Sequence, residues 1–161
     1  MRCAYYRMVT FAFLDPGLLT DGELTLVCTE QVPADPIKKW MPYYFFEIRR
    51  NDLRVGRVIF RIGLVDELYF PGHIGYVIDE AERGHRYAER GVRLLAPFIA
   101  RHQPEAWISC AEENAASRKT IERLGAELVE IVDLPEWHDS YAHGTRRWCR
   151  YRYVVGSAHP E

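Results

Sequence analysis

Apolar and polar positions along the chain alternate with two different periods, and the switch between them outlines the architecture. Residues 1–23 carry turn signals at Asp15-Pro16-Gly17 and Asp21-Gly22 and predict an irregular or weakly paired N-terminal extension. Apolar residues at alternate places then predict a strand over 24–29, interrupted by Pro33, Asp35 and Pro36. A single helical turn is expected at 37–41, ended by Pro42. Next come an aromatic strand over 43–50, a turn at Asn51-Asp52 and a strand over 53–62, which together read as an antiparallel hairpin. Residues 64–70 fit no period, and Pro71-Gly72 closes them. A strand over 73–78 follows, with Gly75 marking a bulge or a close backbone approach.

From Gly84 the period lengthens. Ala88, Val92, Leu95 and Ile99 follow helical spacing, and Pro97 predicts a kink or an early end. A strand over 106–111 precedes a short helix framed by Asn114 as N-cap and Gly125 as its terminating glycine. A strand over 127–134, a polar loop over 136–144 and a last strand over 145–155 complete the chain. On that last strand Cys149, Tyr151, Tyr153 and Val155 share one face, and Arg150 and Arg152 share the other, which reads as a solvated basic face. The fold class is therefore mixed α/β, with a mostly antiparallel central sheet and flanking helices. The helical crossover makes the strands over 74–78 and 106–111 parallel neighbours.

Composition narrows the function classes. The 161 residues suffice for one domain. A net charge of −2 gives no pull toward nucleic acid or an anionic membrane. No apolar run approaches the ~20 residues of a membrane helix, and the opening residues lack the long apolar core of a signal peptide. The four cysteines, Cys3, Cys28, Cys110 and Cys149, form no C-x-x-C and read as reduced thiols of a cytoplasmic protein. His138, Asp139 and His143 match no strong ligand spacing, so no metal is expected.

The candidate chemistry lies between 74 and 125. Arg83, Gly84, His85, Arg86, Tyr87 and Ala88 form a short loop that enters a helix after a strand. Such a junction offers main-chain N–H groups and the positive end of a helix dipole to an anion. Arg83 adds a charge-assisted contact.

This run resembles the acyl-CoA signature [Q/R]-x-x-G-x-[G/A] of the GCN5-related N-acetyltransferases (GNAT). Asn114-x-x-Ser117 followed by Leu124-Gly125 resembles the same family's later segment, and the order of elements agrees over residues 24–155. The resemblance implies an acyl-CoA N-acyltransferase fold with a splayed parallel strand pair, in a domain spanning 24–155 between the extension 1–23 and a tail 156–161. It implies acetyl-CoA as acyl donor, with its pyrophosphate on Arg83–Ala88 and its pantetheine along Tyr76, Val77 and Ile78. Asn114 and Ser117 then lie at the thioester end. A main-chain N–H near Val77 or Ile78 is expected to hold the oxyanion. A primary amine of a small molecule or peptide is the implied acceptor, and the loop 136–143 its lid. Such a protein is expected to be a monomer or homodimer; a non-catalytic acyl-CoA-binding module is the alternative. Two places depart from the family: Arg86 stands where the signature has glycine, and Ile121 stands where many members have a tyrosine acid. Glu47 and His73 are the candidate bases, the first amid aromatic residues and the second by its titration range.

Overall fold

A computed structural model describes residues 11–156. Within them, eight strands form one sheet in the order β1-β2-β3-β4-β5-β6-β8-β7. The strands are β1 (Leu19–Thr20), β2 (Leu24–Val32), β3 (Tyr43–Arg50), β4 (Leu53–Arg61), β5 (Ile74–Ile78), β6 (Glu105–Ala111), β7 (Glu127–Asp133) and β8 (Arg147–Val154). The helices are α1 (Tyr87–Ala100), α2 (Ala115–Arg123) and the short α3 (Asp139–Ala142). Every strand pairing is antiparallel except β5 with β6, as the helical crossover requires. Among the described residues, no helix is long and apolar enough to cross a membrane.

One face of the sheet is covered by α1 and α2. Tyr44, Phe46 and Ile48 of β3, Phe60 of β4, Ile108 of β6 and Tyr151 of β8 point into this layer and are fully buried. Val92, Leu95 and Ile99 meet them from α1, Ile121 from α2, and Leu124 from the position that caps its end. The helical period of α1 is thus the imprint of one buried stripe. Pro97 does not end α1, which runs on to Ala100. The helix begins at Tyr87 rather than Gly84, because Gly84 (φ 91°) and Arg86 (φ 59°) hold left-handed conformations.

Residues 11–23, the described part of the N-terminal extension, are irregular and weakly paired as expected, with only the two-residue β1 joining the sheet; their Phe11, Phe13 and Leu14 nevertheless pack on the core, and the Leu14 N–H donates to the Tyr44 hydroxyl at 2.8 Å. Two further expectations are corrected. Residues 35–40 form a tight antiparallel turn instead of a helical one. The Asp35 carboxylate accepts the N–H groups of Ile37 and Lys38 there, an arrangement that competes with helix. Arg150 is buried, although its strand face reads as solvated. Residues 64–72 fold back over that face: the Arg150 guanidinium lies 3.6 Å from the Tyr69 ring and 4.7 Å from the Trp107 ring, donates to the Tyr69 carbonyl and pairs with Glu130. Arg147 and Arg152 remain more open, paired with Glu112 and Glu127.

Candidate active site

The pairing of β5 with β6 amounts to one register position, Ile74 opposite Ile108. Immediately before it the two chains are pinned. The His73 N–H donates to the Trp107 carbonyl at 2.8 Å, and the Trp107 N–H donates to His73 Nδ1 at 2.9 Å. Beyond Ile74 the strands diverge.

Which groups face the gap follows from the antiparallel ladder of β4 and β5. In such a ladder, facing pairs that exchange main-chain bonds alternate with pairs that exchange none. Bonds run from the Arg61 N–H to the His73 carbonyl at 2.7 Å and from the Asp79 N–H to the Val55 carbonyl at 2.9 Å. Counting in twos along the register, Gly75 and Val77 spend their main-chain groups on β4. Those of Tyr76 and Ile78 turn toward the gap. The free N–H groups are therefore at Tyr76 and Ile78; the Val77 N–H, one of the two expected oxyanion donors, is taken by β4.

The gap holds a cavity of about 300 Å³ whose wall includes Gly75, Tyr76, Ser109, Cys110, Asn114 and Ser117. A larger groove of about 530 Å³ lies at the far edge of the sheet, against β2 and residues 13–16, away from the splayed pair. Burial pushes the Cys110 thiol up to about 11, so it is protonated at neutral pH and is not a nucleophile. Burial likewise pushes the Tyr76 hydroxyl up to about 12, against the hydrogen bond of Ser117. Ser109 Oγ, in the same wall, and Trp107 Nε1 are buried without a hydrogen-bond partner.

At the open end of the slot stands the N-terminus of α1. Arg86 caps it with main chain only, and the first helical bond runs from Arg90 N–H to the Arg86 carbonyl at 3.1 Å. The N–H groups of Tyr87, Ala88 and Glu89 have no intrahelical acceptor. Arg86 sits in the left-handed conformation that a glycine there would adopt, so the loop keeps its shape at the cost of some strain. Arg83 donates to the Ile78 carbonyl at 3.2 Å, which places its guanidinium where β5 meets the loop. His85 stacks on Tyr87 at 5.3 Å between centroids.

At α2, Asn114 Oδ1 accepts the Ser117 N–H at 3.1 Å, and Ser117 Oγ lies 2.8 Å from the Tyr76 hydroxyl. Ile121 is fully buried in the core. The structure brings Tyr76, Asn114 and Ser117 into the wall of one cavity, and Ile78 at the end of β5 is tied to Arg83 of the loop that enters α1. This arrangement fits an acyl-CoA: a helix N-terminus without a side-chain cap for phosphate, an unpaired strand edge for an amide-bearing arm and the orphaned Ser109 hydroxyl in the wall.

The two candidate bases are placed differently. His73 is buried at the closed end with both nitrogens engaged, Nδ1 by Trp107 and Nε2 by the Gly63 carbonyl at 2.9 Å. It has no lone pair left for an amine. Glu47 lies on the face opposite α1, in the row Glu47–Arg57–Val77, about two strand spacings or ~10 Å from Val77. Arg49 donates to it at 2.8 Å. The Tyr76 side chain is the group that sequence reasoning missed, since only its main chain was expected to act. The signal lay in the alternation of β5, which sends Ile74, Tyr76 and Ile78 toward the helices.

The sequence profile described as Acetyltransferase (GNAT) domain matches residues 11–127. None of the curated proteins matches. Among solved structures, the chain is similar to RimL, a ribosomal L7/L12 α-N-protein acetyltransferase, at 16% identity and a TM-score of 0.65, over 88% of this chain and 99% of that one. It is similar to the microcin C7 self-immunity acetyltransferase MccE in complex with acetyl-CoA and AMP, at 19% identity and 0.56, over 70% of this chain and 61% of that one. It is also similar to the ribosomal-protein-S5-alanine acetyltransferase of Vibrio fischeri, at 18% and 0.57, over 73% and 64%. The chain thus spans less than two thirds of the latter two, and likeness at these identities shows the fold alone. With the profile covering well over half of the sequence, and the slot and loop built as described, the chain belongs to the GNAT acetyltransferase family.

Proposed function

We propose that the protein transfers the acetyl group of acetyl-CoA to a primary amine of a small molecule or peptide by direct attack. The observation that carries this reading is the splay of β5 from β6, which leaves the N–H groups of Tyr76 and Ile78 unpaired beside the uncapped N-terminus of α1. In this reading Arg83, Gly84, His85, Arg86, Tyr87 and Ala88 hold the pyrophosphate. The strand edge at Tyr76 and Ile78 holds the pantetheine. Their N–H groups stabilise negative charge as it builds on the thioester oxygen, the kind of preorganised contact from which most of the rate comes. Asn114 shapes the slot by capping α2.

Direct attack is favoured over an acetyl-cysteine route because Cys110, the thiol in the cavity wall, stays protonated. Glu47 is the better placed of the two candidate bases, because its carboxylate is partly exposed and bonded to Arg49, whereas both His73 nitrogens are engaged. Similar proteins named for N-terminal serine or alanine as acceptor make peptides the first acceptors to try. We read the protein as cytoplasmic, a monomer or homodimer, and independent of metal.

The test has two stages. Acetyl-CoA at a hundred times its Kd stabilises a native-state binder by about 2.7 kcal/mol, which a thermal melt detects. Thiol release is then followed with hexapeptides bearing free N-terminal serine or alanine and with a panel of small amines. An unmoved melting temperature at saturating acetyl-CoA sinks the reading. Equal acetyl-CoA binding by the Arg83→Ala, Gly84→Asp double variant sinks the assignment of the loop. Binding without release across all acceptors favours a non-catalytic module, a reading that the burial of Ile121 at the usual acid's place keeps open.

A further inference from the structure

An amine displacing a thiolate in a water-poor slot leaves negative charge on sulfur, and a hydroxyl in the wall can relieve it by giving up a proton. The Ile121 side chain, buried in the core, supplies no such group. The structure does supply a hydroxyl pair: Tyr76 from β5 and Ser117 from α2, 2.8 Å apart in the wall of the cavity. We infer that Tyr76 is the proton donor to the leaving thiolate and that Ser117 holds its hydroxyl in position. This rests on the acetyl-transfer reading above.

The geometry of the pair supports the direction of transfer. Tyr76 reaches one other acceptor, the Ser117 carbonyl, at a long 3.4 Å. In the 2.8 Å contact with Ser117 Oγ either hydroxyl can donate, so Ser117 can hold the phenol and, by turning its own hydrogen toward it, the phenolate as well. As the C–N bond forms and the C–S bond breaks, the bonding electrons pass to sulfur and the Tyr76 proton follows them. The products are the amide, the CoA thiol and a phenolate that accepts a hydrogen bond from Ser117. The proton lost by the attacking nitrogen restores the phenol through solvent.

The experiment compares wild type with Tyr76→Phe, Ser117→Ala and a protein carrying 3,5-difluorotyrosine at position 76, using acetyl-CoA and the N-terminal-serine hexapeptide or whichever amine of the panel turns over. Melting temperature and calorimetric acetyl-CoA binding verify that each variant is folded. Tyr76→Phe is expected to lower kcat about 100-fold with the KM for acetyl-CoA little changed. Ser117→Ala is expected to lower it about tenfold. The fluorinated phenol, which is more acidic, brings a fall in kcat at alkaline pH that the wild type lacks. Unchanged kcat in Tyr76→Phe overturns the proposal, as does a fluorinated enzyme with the wild-type alkaline profile. Wild type that binds acetyl-CoA and releases no thiol with any acceptor instead overturns the acetyl-transfer reading on which the proposal stands.

Discussion

Replacing His73 by alanine removes the clasp that holds β5 to β6 at the closed end of the slot. The buried imidazole accepts the Trp107 N–H on Nδ1 and donates from Nε2 to the Gly63 carbonyl. Without it, the Trp107 N–H is left unsatisfied, at about 1–3 kcal/mol, and the Gly63 carbonyl loses a bond worth about 1 kcal/mol. The space vacated by the ring adds about 1 kcal/mol. The expected loss is about 4 kcal/mol, a large part of a typical domain's stability of about 5–15 kcal/mol. Asparagine keeps an oxygen near the place of Nδ1 but does not reach Gly63, so His73→Asn is expected to lose about 1–2 kcal/mol. Urea unfolding measures both, with an unchanged m value confirming that the denatured state is the same. The clasp also requires a neutral ring, because a proton on Nδ1 would face the Trp107 N–H. Burial, reinforced by the Arg61 charge, holds His73 below its ordinary 6.5, although the Gly63 carbonyl and Glu105 oppose the shift. A histidine with a lowered folded value gives stability that is present above about pH 6.5 and lost as pH falls through that lowered value. Stability should therefore fall below pH 6.5, less steeply in His73→Asn. His102, also lowered by burial and by Arg101, keeps part of the slope. A folded His73→Ala that loses less than about 1 kcal/mol refutes the clasp. So does a stable His73→Asn whose kcat/KM loses its acid limb, which would make the residue a base.

Three further outcomes follow from local geometry. Gly56→Ala puts a Cβ 2.6 Å from the Val77 carbonyl oxygen and 2.8 Å from Ile78 Cδ1, so β5 must shift; about 1–3 kcal/mol of stability and a measurable part of acetyl-CoA affinity should be lost, by thermal melt and calorimetry. Arg150→Met leaves the Tyr69 carbonyl without its partner and Glu130 with only the Tyr69 hydroxyl at 3.0 Å; with Glu130 partly solvated, the cost should be about 2 kcal/mol in urea, and Glu130→Gln in the same protein should recover part of it. Arg86→Gly relieves a left-handed non-glycine residue and should raise stability by about 1 kcal/mol in the same assay; any weakening of acetyl-CoA binding that it brings measures the charge lost from the loop.

Much of the sheet was legible because its strands obey a strict period. The alternation in 43–50 and the turn at Asn51-Asp52 mark β3 and its hairpin with β4 to within a residue, and the Asn114 and Gly125 caps frame α2. The position of the loop that enters α1 was legible from Gly84 and the start of the α1 stripe. What escaped was tertiary. The polarity of Arg150 gives no sign that residues 64–72 fold over it, since a guanidinium is buried only when another segment brings rings and a carboxylate to it. The chemistry of His73 suggests a base, whereas its use depends on Trp107, more than thirty residues on. Which of Tyr76, Val77 and Ile78 faces the gap depends on hydrogen-bond phase with β4, which the sequence of β5 alone does not contain.

The slot makes opposing demands on one strand pair, and their resolution explains why the site sits where it does. A parallel pair that closed along its length would satisfy every N–H and leave no gap; one that opened along its length would lose the sheet. Here β5 is held on one side by its full register with β4, and on the other by a single position and a side chain. The His73 ring takes the Trp107 N–H at the point where the strands part, so the opening does not propagate toward the core beneath Ile74 and Ile108. On the open side, Tyr76 and Ile78 present main-chain groups aligned by β4 with no partner on their own sheet. These groups are held in place by β4 before any ligand arrives, so an amide-bearing arm laid along this edge pairs with them without reordering the chain. Affinity for acetyl-CoA should therefore depend on the rigidity of the β4–β5 ladder as much as on the charges of the loop.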